Sequence, residues 1–535
     1  MGLQDTQANL LVCIAVVLAF ALSTLQAFIG AKVGSDHPVH VFITRGIRDN
    51  GYRLFVRIPN LLNTCYCAAM PLYMHWIVAH FRAGAVFWLE RLLNPIVNTL
   101  HVTLFATVVA VAAEQAGLPP LFVGLATAIF ALTPQFFHAL SARNFGLSSR
   151  GTGLLLLTLF FLASHVLESE GRPLYAWAAL VLAAWLIWGF STFAQQALCI
   201  LSTLLLLLTG RPAALLGTTL GLLLFIALHP RYSLSYLLNT LRFIRTYASE
   251  LAPIYILSRR HSIWRDLVRD IWLRLAKERK SGAHYAYENS AVIVLLLNPL
   301  VVVACLSALN GLSSTQGLLG YSQAMALVGL CAVILTSFRL TRFLGEPERY
   351  AEVVTPWAAL AGSHAIYTLG GTGALVAMVL LFLTSDLLQL FASNLLLKHV
   401  AGTDVNLQNV QRAVSASVDG EVRFCCNNEH FTKRLMQNDW HFAYYLAVGQ
   451  DYCGMKATEI FSTFPFLRRE ACERVVATYR VNACLLDRNL YETIFDEAPR
   501  TLRGMRLTWE TERFRLFALD WAPEATALAA TARRS

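Results

Sequence analysis

Long, nearly uncharged apolar runs, each close to 20 residues, recur along this chain. A run of that length matches the hydrocarbon thickness of a bilayer when wound as an α-helix. Lipid offers no partner to backbone N–H and C=O groups, so only helices and closed barrels can cross it. Barrel strands alternate apolar and polar residues, and these runs do not. They fall near residues 8–30, 95–113, 119–138, 151–168, 174–190, 192–210, 212–229, 290–310, 319–338, 354–370 and 372–398, about eleven in all. Tight breaks such as Gly210-Arg211-Pro212 and Gly370-Gly371 separate neighbours. Hydrophobic residues make up 56% of the 535 and charged residues only 14%, which excludes an ordinary soluble protein. The start, Met1-Gly2-Leu3-Gln4-Asp5, lacks the basic region of a cleavable signal, so the first run is expected to remain as an anchor.

Charge is distributed unevenly. Nearly all Lys and Arg lie in loops near 31–94, 139–150, 230–289 and 339–352 and in the tail after 399, which alternation places on one side of the membrane. The opposite loops are short and carry only Glu114, Glu168, Glu170, Arg172 and Arg211. The positive-inside rule puts the basic face in the cytoplasm. A face that grips a phosphate has a separate reason to be basic.

Residues 1–400 are expected to form a membrane domain, and 401–535 a small soluble α+β domain with a disordered end. In the tail, Gly420–Cys426 and Asn482–Leu486 read as short strands, Met505–Trp521 as two strands turning near Glu510-Thr511-Glu512, and 431–449 and 468–479 as helices. In the long loop, Ile263, Trp264, Leu267, Val268, Ile271, Trp272 and Leu275 recur at helical spacing opposite Arg265, Asp266, Arg269, Asp270, Arg274 and Lys277. Such an amphipathic helix lies in a membrane interface or packs on the protein's own outer domain. The eleven cysteines form no recognisable framework and lack the paired spacing of a zinc site, while an oxidising compartment would allow a disulfide in the polar regions. The fold class is therefore a polytopic, mostly α transmembrane bundle with amphipathic loop helices and a small α+β tail.

The loop after the first run carries Gly34-Ser35-Asp36-His37-Pro38-Val39-His40, then Arg45, Arg48 and Asn50-Gly51, then Met70-Pro71-Leu72-Tyr73-Met74-His75-Trp76. Further on come Arg143-Asn144-Phe145-Gly146, Ser191-Thr192-Phe193-Ala194-Gln195-Gln196 and Phe343-Leu344-Gly345-Glu346-Pro347-Glu348-Arg349-Tyr350. Together with the many-span layout, these segments resemble the type-C fold membrane glycosyltransferases. The resemblance covers most of residues 1–400. It implies transfer of a sugar, with inversion, from a polyprenyl-phosphate or polyprenyl-diphosphate donor to a glycan, lipid or protein acceptor. The chain would then be a multi-pass protein of a bacterial inner membrane, with its active site and tail on the periplasmic side, against the charge rule. His37 stands where many members carry a second carboxylate, which disfavours a divalent metal. No cofactor and no nucleic-acid partner is expected.

The chemistry assigns roles. Asp36 is the candidate general base, an ionised carboxylate at the interface. His37, His40, Arg45, Arg143, Arg242, Arg245 and Arg349 are candidates for the departing phosphate, because guanidinium groups hold developing negative charge in a fixed fork. Tyr52, Tyr73, His75 and Trp76 are candidates to orient a sugar or acceptor. Each has a plainer role available. Asp36 suits an N-cap before Pro38, Arg143, Arg150 and Arg349 suit snorkelling span ends, and Glu346-Pro347-Glu348-Arg349 suits a turn closed by a local ion pair. Gln195-Gln196 could serve a lipid tunnel or bond neighbouring helices. A flippase for lipid-linked glycans would place ionisable residues in the middle of many spans, which this sequence mostly lacks. A surface-polysaccharide polymerase or ligase would share the leaving group.

Overall fold

The computed structural model of the protein describes residues 3–33, 37–54, 60–63, 71–134, 146–169, 171, 173–254, 290–310, 317–338, 340–400, 403–438, 441–446, 456–463, 466–494 and 500–519. Asp36, Arg143 and the amphipathic stretch 263–280 lie outside the described residues. Every apolar run read from the sequence contains a helix. The helices are α1 (Leu3–Val33), α2 (His37–Asp49), α3 (Tyr73–Ala79), α4 (Ala83–Ala116), α5 (Pro120–Ala131), α6 (Arg150–Ser169), α7 (Leu174–Phe190), α8 (Thr192–Thr209), α9 (Ala213–Leu228), α10 (Pro230–Thr246), α11 (Ser290–Leu297), α12 (Pro299–Leu309), α13 (Gly317–Thr336), α14 (Glu348–Val353) and α15 (Thr355–Val400). Among the described residues, six helices are long and apolar enough to cross a membrane, and α5, α7, α9 and α12 are shorter apolar helices. Within α15, Gly371 at φ 64° and ψ −161° breaks the helix in two, as the Gly-Gly pair foretells, since only glycine takes such a conformation freely.

Lipid tails are as apolar as leucine, so spans associate through close packing of small residues. Gly217 and Gly221 of α9 meet Leu180 and Ala184 of α7 so closely that an added Cβ would lie 2.5 and 2.3 Å from them. One continuous core runs through α1, α4–α8 and α12–α15. Gln195 bonds neighbouring elements: its Nε2 donates to Trp188 O (2.6 Å) and its Oε1 accepts from Tyr236 Oη (2.6 Å).

The tail carries a mixed sheet. Strands β1 (Arg423–Cys426), β2 (Ala443–Tyr444), β5 (Ala483–Asp487), β6 (Met505–Glu510) and β7 (Phe514–Leu519) stand in the order β2-β1-β5-β7-β6, and β3 (Phe461–Thr463) and β4 (Phe466–Leu467) make a separate pair. Strands β2, β1 and β5 run parallel, while β7 is antiparallel to both β5 and β6. Helices α16 (Thr403–Ser417), α17 (Glu429–Asn438), α18 (Ala457–Ile460), α19 (Arg469–Tyr479) and α20 (Arg488–Ile494) complete it. The helix expected over 431–449 ends at Asn438, because the buried Ala443-Tyr444 pair joins the sheet instead.

The loops cluster with the tail at one end of the bundle. Val39, Phe42 and Ile47 of α2, Tyr73, Phe225, Tyr232 and Tyr236 share an apolar core with Phe431, Leu435, Tyr444 and Phe514 of the tail. At the same end, Arg150 makes a two-pronged pair with Glu352, with Nε to Oε1 at 3.1 Å, and lies 4.5 Å over the Phe193 ring. Both charges are mostly buried and satisfied, so Arg150 is a structural tie between α6 and α14.

Candidate functional site

Helix α2 begins at His37, the residue that follows Asp36 in the chain. Pro38 sits in its first turn, where the missing N–H costs nothing. Arg48 near its end donates to Ala79 O (3.0 Å) and to Phe81 O. It thereby satisfies carbonyls that the end of α3 leaves orphaned, and α2 and α3 become one unit.

The chain then turns through Gly51 (φ 73°) and Tyr52 (φ 62°). A left-handed aromatic residue costs about 1–2 kcal/mol and persists only where its surroundings insist on it. Here Trp76 Nε1 donates to Tyr52 O (2.9 Å), and the Tyr52 ring lies 4.6 Å from that of His80. The strain turns Tyr52 and Arg53 toward the start of α10.

Between them opens a cleft of about 520 Å³, lined by Tyr52, Arg53, Leu54, Trp76, Leu228, His229, Pro230, Arg231 and Tyr232. It lies where the apolar α9 ends and Pro230 starts a new helix, at the boundary of a membrane segment. Among the described residues, neither Arg53 nor Arg231 pairs with a carboxylate. Two unpaired guanidinium groups, a histidine and aromatic walls suit an anion attached to something apolar or to a sugar.

The expected site residues divide. Tyr52 and Trp76 line this cleft and are 42% and 37% exposed. Tyr73 and His75 are 5% and 2% exposed, so they reach no acceptor and pack the loop instead. The Tyr73 ring stands among those of Trp185, Phe190, Phe225, His229 and Tyr232, at 5.6–6.3 Å. Leu72 N donates to Tyr232 Oη (2.8 Å) beside it. Burial holds the Tyr73 hydroxyl at about 12, above its ordinary value. Arg45 is exposed and lies 3.7 Å from Asp49. Arg349 pairs with Glu346, the local turn pair. Arg242 and Arg245 are exposed on α10 outside the cleft lining. His37 starts α2, but its side chain lies outside the described residues. Arg53, His229 and Arg231 were not singled out as ligands. The one available signal was a basic residue just past a span that ends in His-Pro.

His40 Nδ1 and His75 Nε2 share a hydrogen bond of 2.8 Å, with stacked rings 5.0 Å apart. Burial, with the His40 ring beside it, lowers the pKa of His75 from 6.5 to about 3. The folded ring stays neutral while an unfolded one would charge, so stability is full above pH 6.5 and falls as pH drops toward 3. The loss approaches about 1.4 kcal/mol per pH unit. Thermal unfolding of the solubilised protein is therefore expected to shift down between pH 7 and pH 5, and His75→Gln to flatten that dependence. An equal pH response in both proteins would refute it.

Among the described residues, no three His, Cys, Asp or Glu side chains converge as metal ligands.

No family model and no curated protein matches this sequence. In structure, the chain is similar to the Archaeoglobus fulgidus oligosaccharyltransferase in its apo form, with TM-score 0.52 and 12% identity over 90% of this chain and 70% of that one. It also aligns with ArnT from Cupriavidus metallidurans bound to undecaprenyl phosphate, with TM-score 0.49 and 13% identity over 95% of this chain and 97% of that one. The polytopic helical architecture is that of the type-C fold shared by membrane glycosyltransferases.

Proposed function

We propose that the protein is a membrane glycosyltransferase that takes a sugar from a polyprenyl-phosphate-linked donor and passes it, with inversion, to a glycan, lipid or protein acceptor. The observation that carries this reading is the membrane-edge cleft with two unpaired guanidinium groups, next to the loop that follows Asp36. In the reaction, the Asp36 carboxylate takes the acceptor hydroxyl proton. The acceptor oxygen bonds to the anomeric carbon, the bond from that carbon to the phosphate oxygen breaks, and the lipid phosphate leaves with the electron pair. Arg53 and Arg231 hold the charge that develops there, and Tyr52 and Trp76 offer the sugar an aromatic face. Arg242 and Arg245, farther along α10, attract the donor from the leaflet. The site and tail face the periplasm of an inner membrane, where the basic loops answer a phosphate ligand rather than a topology signal.

The test is lipid-phosphate binding. Charge-assisted hydrogen bonds are worth about 1.5–3 kcal/mol each. Replacing both Arg53 and Arg231 by Ala is therefore expected to weaken undecaprenyl phosphate binding in nanodiscs by about 100-fold or more, with no loss of fold because both side chains are exposed. Unchanged affinity would remove the cleft from the donor site.

A further inference from the structure

The cleft has two walls, and both run on into the tail. One wall, Tyr52–Leu54 with Trp76, belongs to the first loop. The other, Leu228–Tyr232, joins α9 to α10. Beyond the first wall, Asn60–Asn63 attaches to the tail's sheet beside β2. Tyr444 N donates to Asn60 O (2.8 Å), and Leu62 N donates to Tyr444 O (2.9 Å). Asn63 then uses both halves of its amide: Nδ2 donates to Leu446 O (2.5 Å) and Oδ1 accepts from Leu446 N (3.2 Å). An asparagine amide mimics a peptide group, so it extends the ladder by one more pair. Asn63 is 3% exposed. Apolar contact seals the junction, with the Phe42 ring of α2 edge-on to Tyr444 at 6.0 Å.

Beyond the second wall, α10 continues into a π-helical turn, Tyr247–Leu251. Glu250 Oε2 accepts from Ala457 N (2.7 Å), satisfying an amide at the start of α18. Leu251 is buried in the core formed with Cys472, Val475 and Leu486 of the tail. The same small sheet domain therefore holds the far end of each wall.

We propose that the tail is a clamp that sets the separation of the cleft walls, with Asn63 and Glu250 as positioning residues. The proposal rests on the reading of the cleft as a phosphate site. A fork of guanidinium groups grips one phosphate only when its placement is fixed to about 0.5 Å. The walls touch where Leu72 N donates to Tyr232 Oη and the Tyr73 ring stands beside those of His229 and Tyr232, and this sheet ties them a second time; β2 would otherwise be an unpaired edge. The clamp explains why a membrane transferase carries a soluble domain fused to its first loop by backbone pairing.

The test uses the full-length protein in nanodiscs with Asn63→Ala, Asn63→Asp, Glu250→Ala and Glu250→Gln. Gln at 250 retains an acceptor for Ala457 N, and Asp at 63 retains one for Leu446 N. Amide hydrogen exchange is expected to rise over 37–54 in Asn63→Ala and over 228–246 in Glu250→Ala. Glu250→Gln should match wild type, Asn63→Asp should be intermediate, and β1 and β5 should stay protected throughout. Undecaprenyl phosphate binding should weaken about 5- to 10-fold in the two Ala variants and stay within about twofold in Glu250→Gln. Unchanged exchange at the walls would overturn the clamp. So would loss of protection in β1 and β5, because the residue would then be holding up the tail itself. If wild type binds no undecaprenyl phosphate, the phosphate reading of the cleft fails, and the exchange pattern alone decides the clamp.

Discussion

Gly189→Ala is expected to unseat the first loop and, with it, the cleft. Gly189 closes α7 beneath the Tyr73 ring, and an added Cβ would lie 1.9 Å from Tyr73 Cδ2, 2.3 Å from Cε2 and 2.5 Å from Cγ. Side chains usually yield to such intrusions, but this ring stands in a socket of five others. Overpacking of this kind costs about 1–3 kcal/mol, a large share of the energy that docks one seven-residue helix. Tyr73 carries α3, and α3 carries Trp76, whose indole holds Tyr52 in its strained turn. The expected result is faster proteolysis of the loop and loss of lipid-phosphate binding, while the remaining spans hold. Gly84→Ala is the control, because a Cβ there meets nothing within 4 Å. Adding Tyr73→Leu to Gly189→Ala should restore part of the loss, the non-additivity expected of residues in contact. Intact binding in Gly189→Ala would show that Tyr73 does not anchor the loop.

How much of this was legible follows from the range over which each signal acts. A 20-residue apolar run is a local property of the chain, and each one contains a helix. The Gly370-Gly371 break and the hairpin of β6 and β7 are equally local, as are the strands at Arg423–Cys426 and Ala483–Asp487. The cleft is not local. It joins Arg53 to Arg231 across nearly the whole first half of the membrane domain, and nothing in the spacing of either residue announces the other. Tyr73 and His75 read as polar aromatics on a loop, but the socket that buries Tyr73 comes from α7, α9 and α10, and the buried His75 stacks on His40 of α2. Glu346 and Arg349 were legible as a local pair because they sit one helical turn apart. Arg150 was legible only as a span-end cation, since its partner Glu352 comes from α14, some two hundred residues away.

Asp36→Asn is expected to lower sugar transfer by about 10²- to 10⁴-fold, the usual worth of a general base. The substitution also separates catalysis from structure. Asn is as good an N-cap as Asp, so a residue that only caps the helix beginning at His37 would tolerate it. Asp36→Ala would remove both roles and could not tell them apart. An Asn amide has no basic lone pair to take the acceptor proton, whereas size and hydrogen bonding are nearly kept. Binding of undecaprenyl phosphate should therefore survive in Asp36→Asn and fail in the Arg53 and Arg231 double variant. Base and phosphate clamp act at different steps. The most direct measurement is glycan product formed from polyprenyl-phosphate-linked sugars by membranes holding matched amounts of wild type and Asp36→Asn. Product from wild type and almost none from the variant, with lipid-phosphate binding intact, is the predicted result. Equal product from both would contradict the assignment of Asp36 as the base.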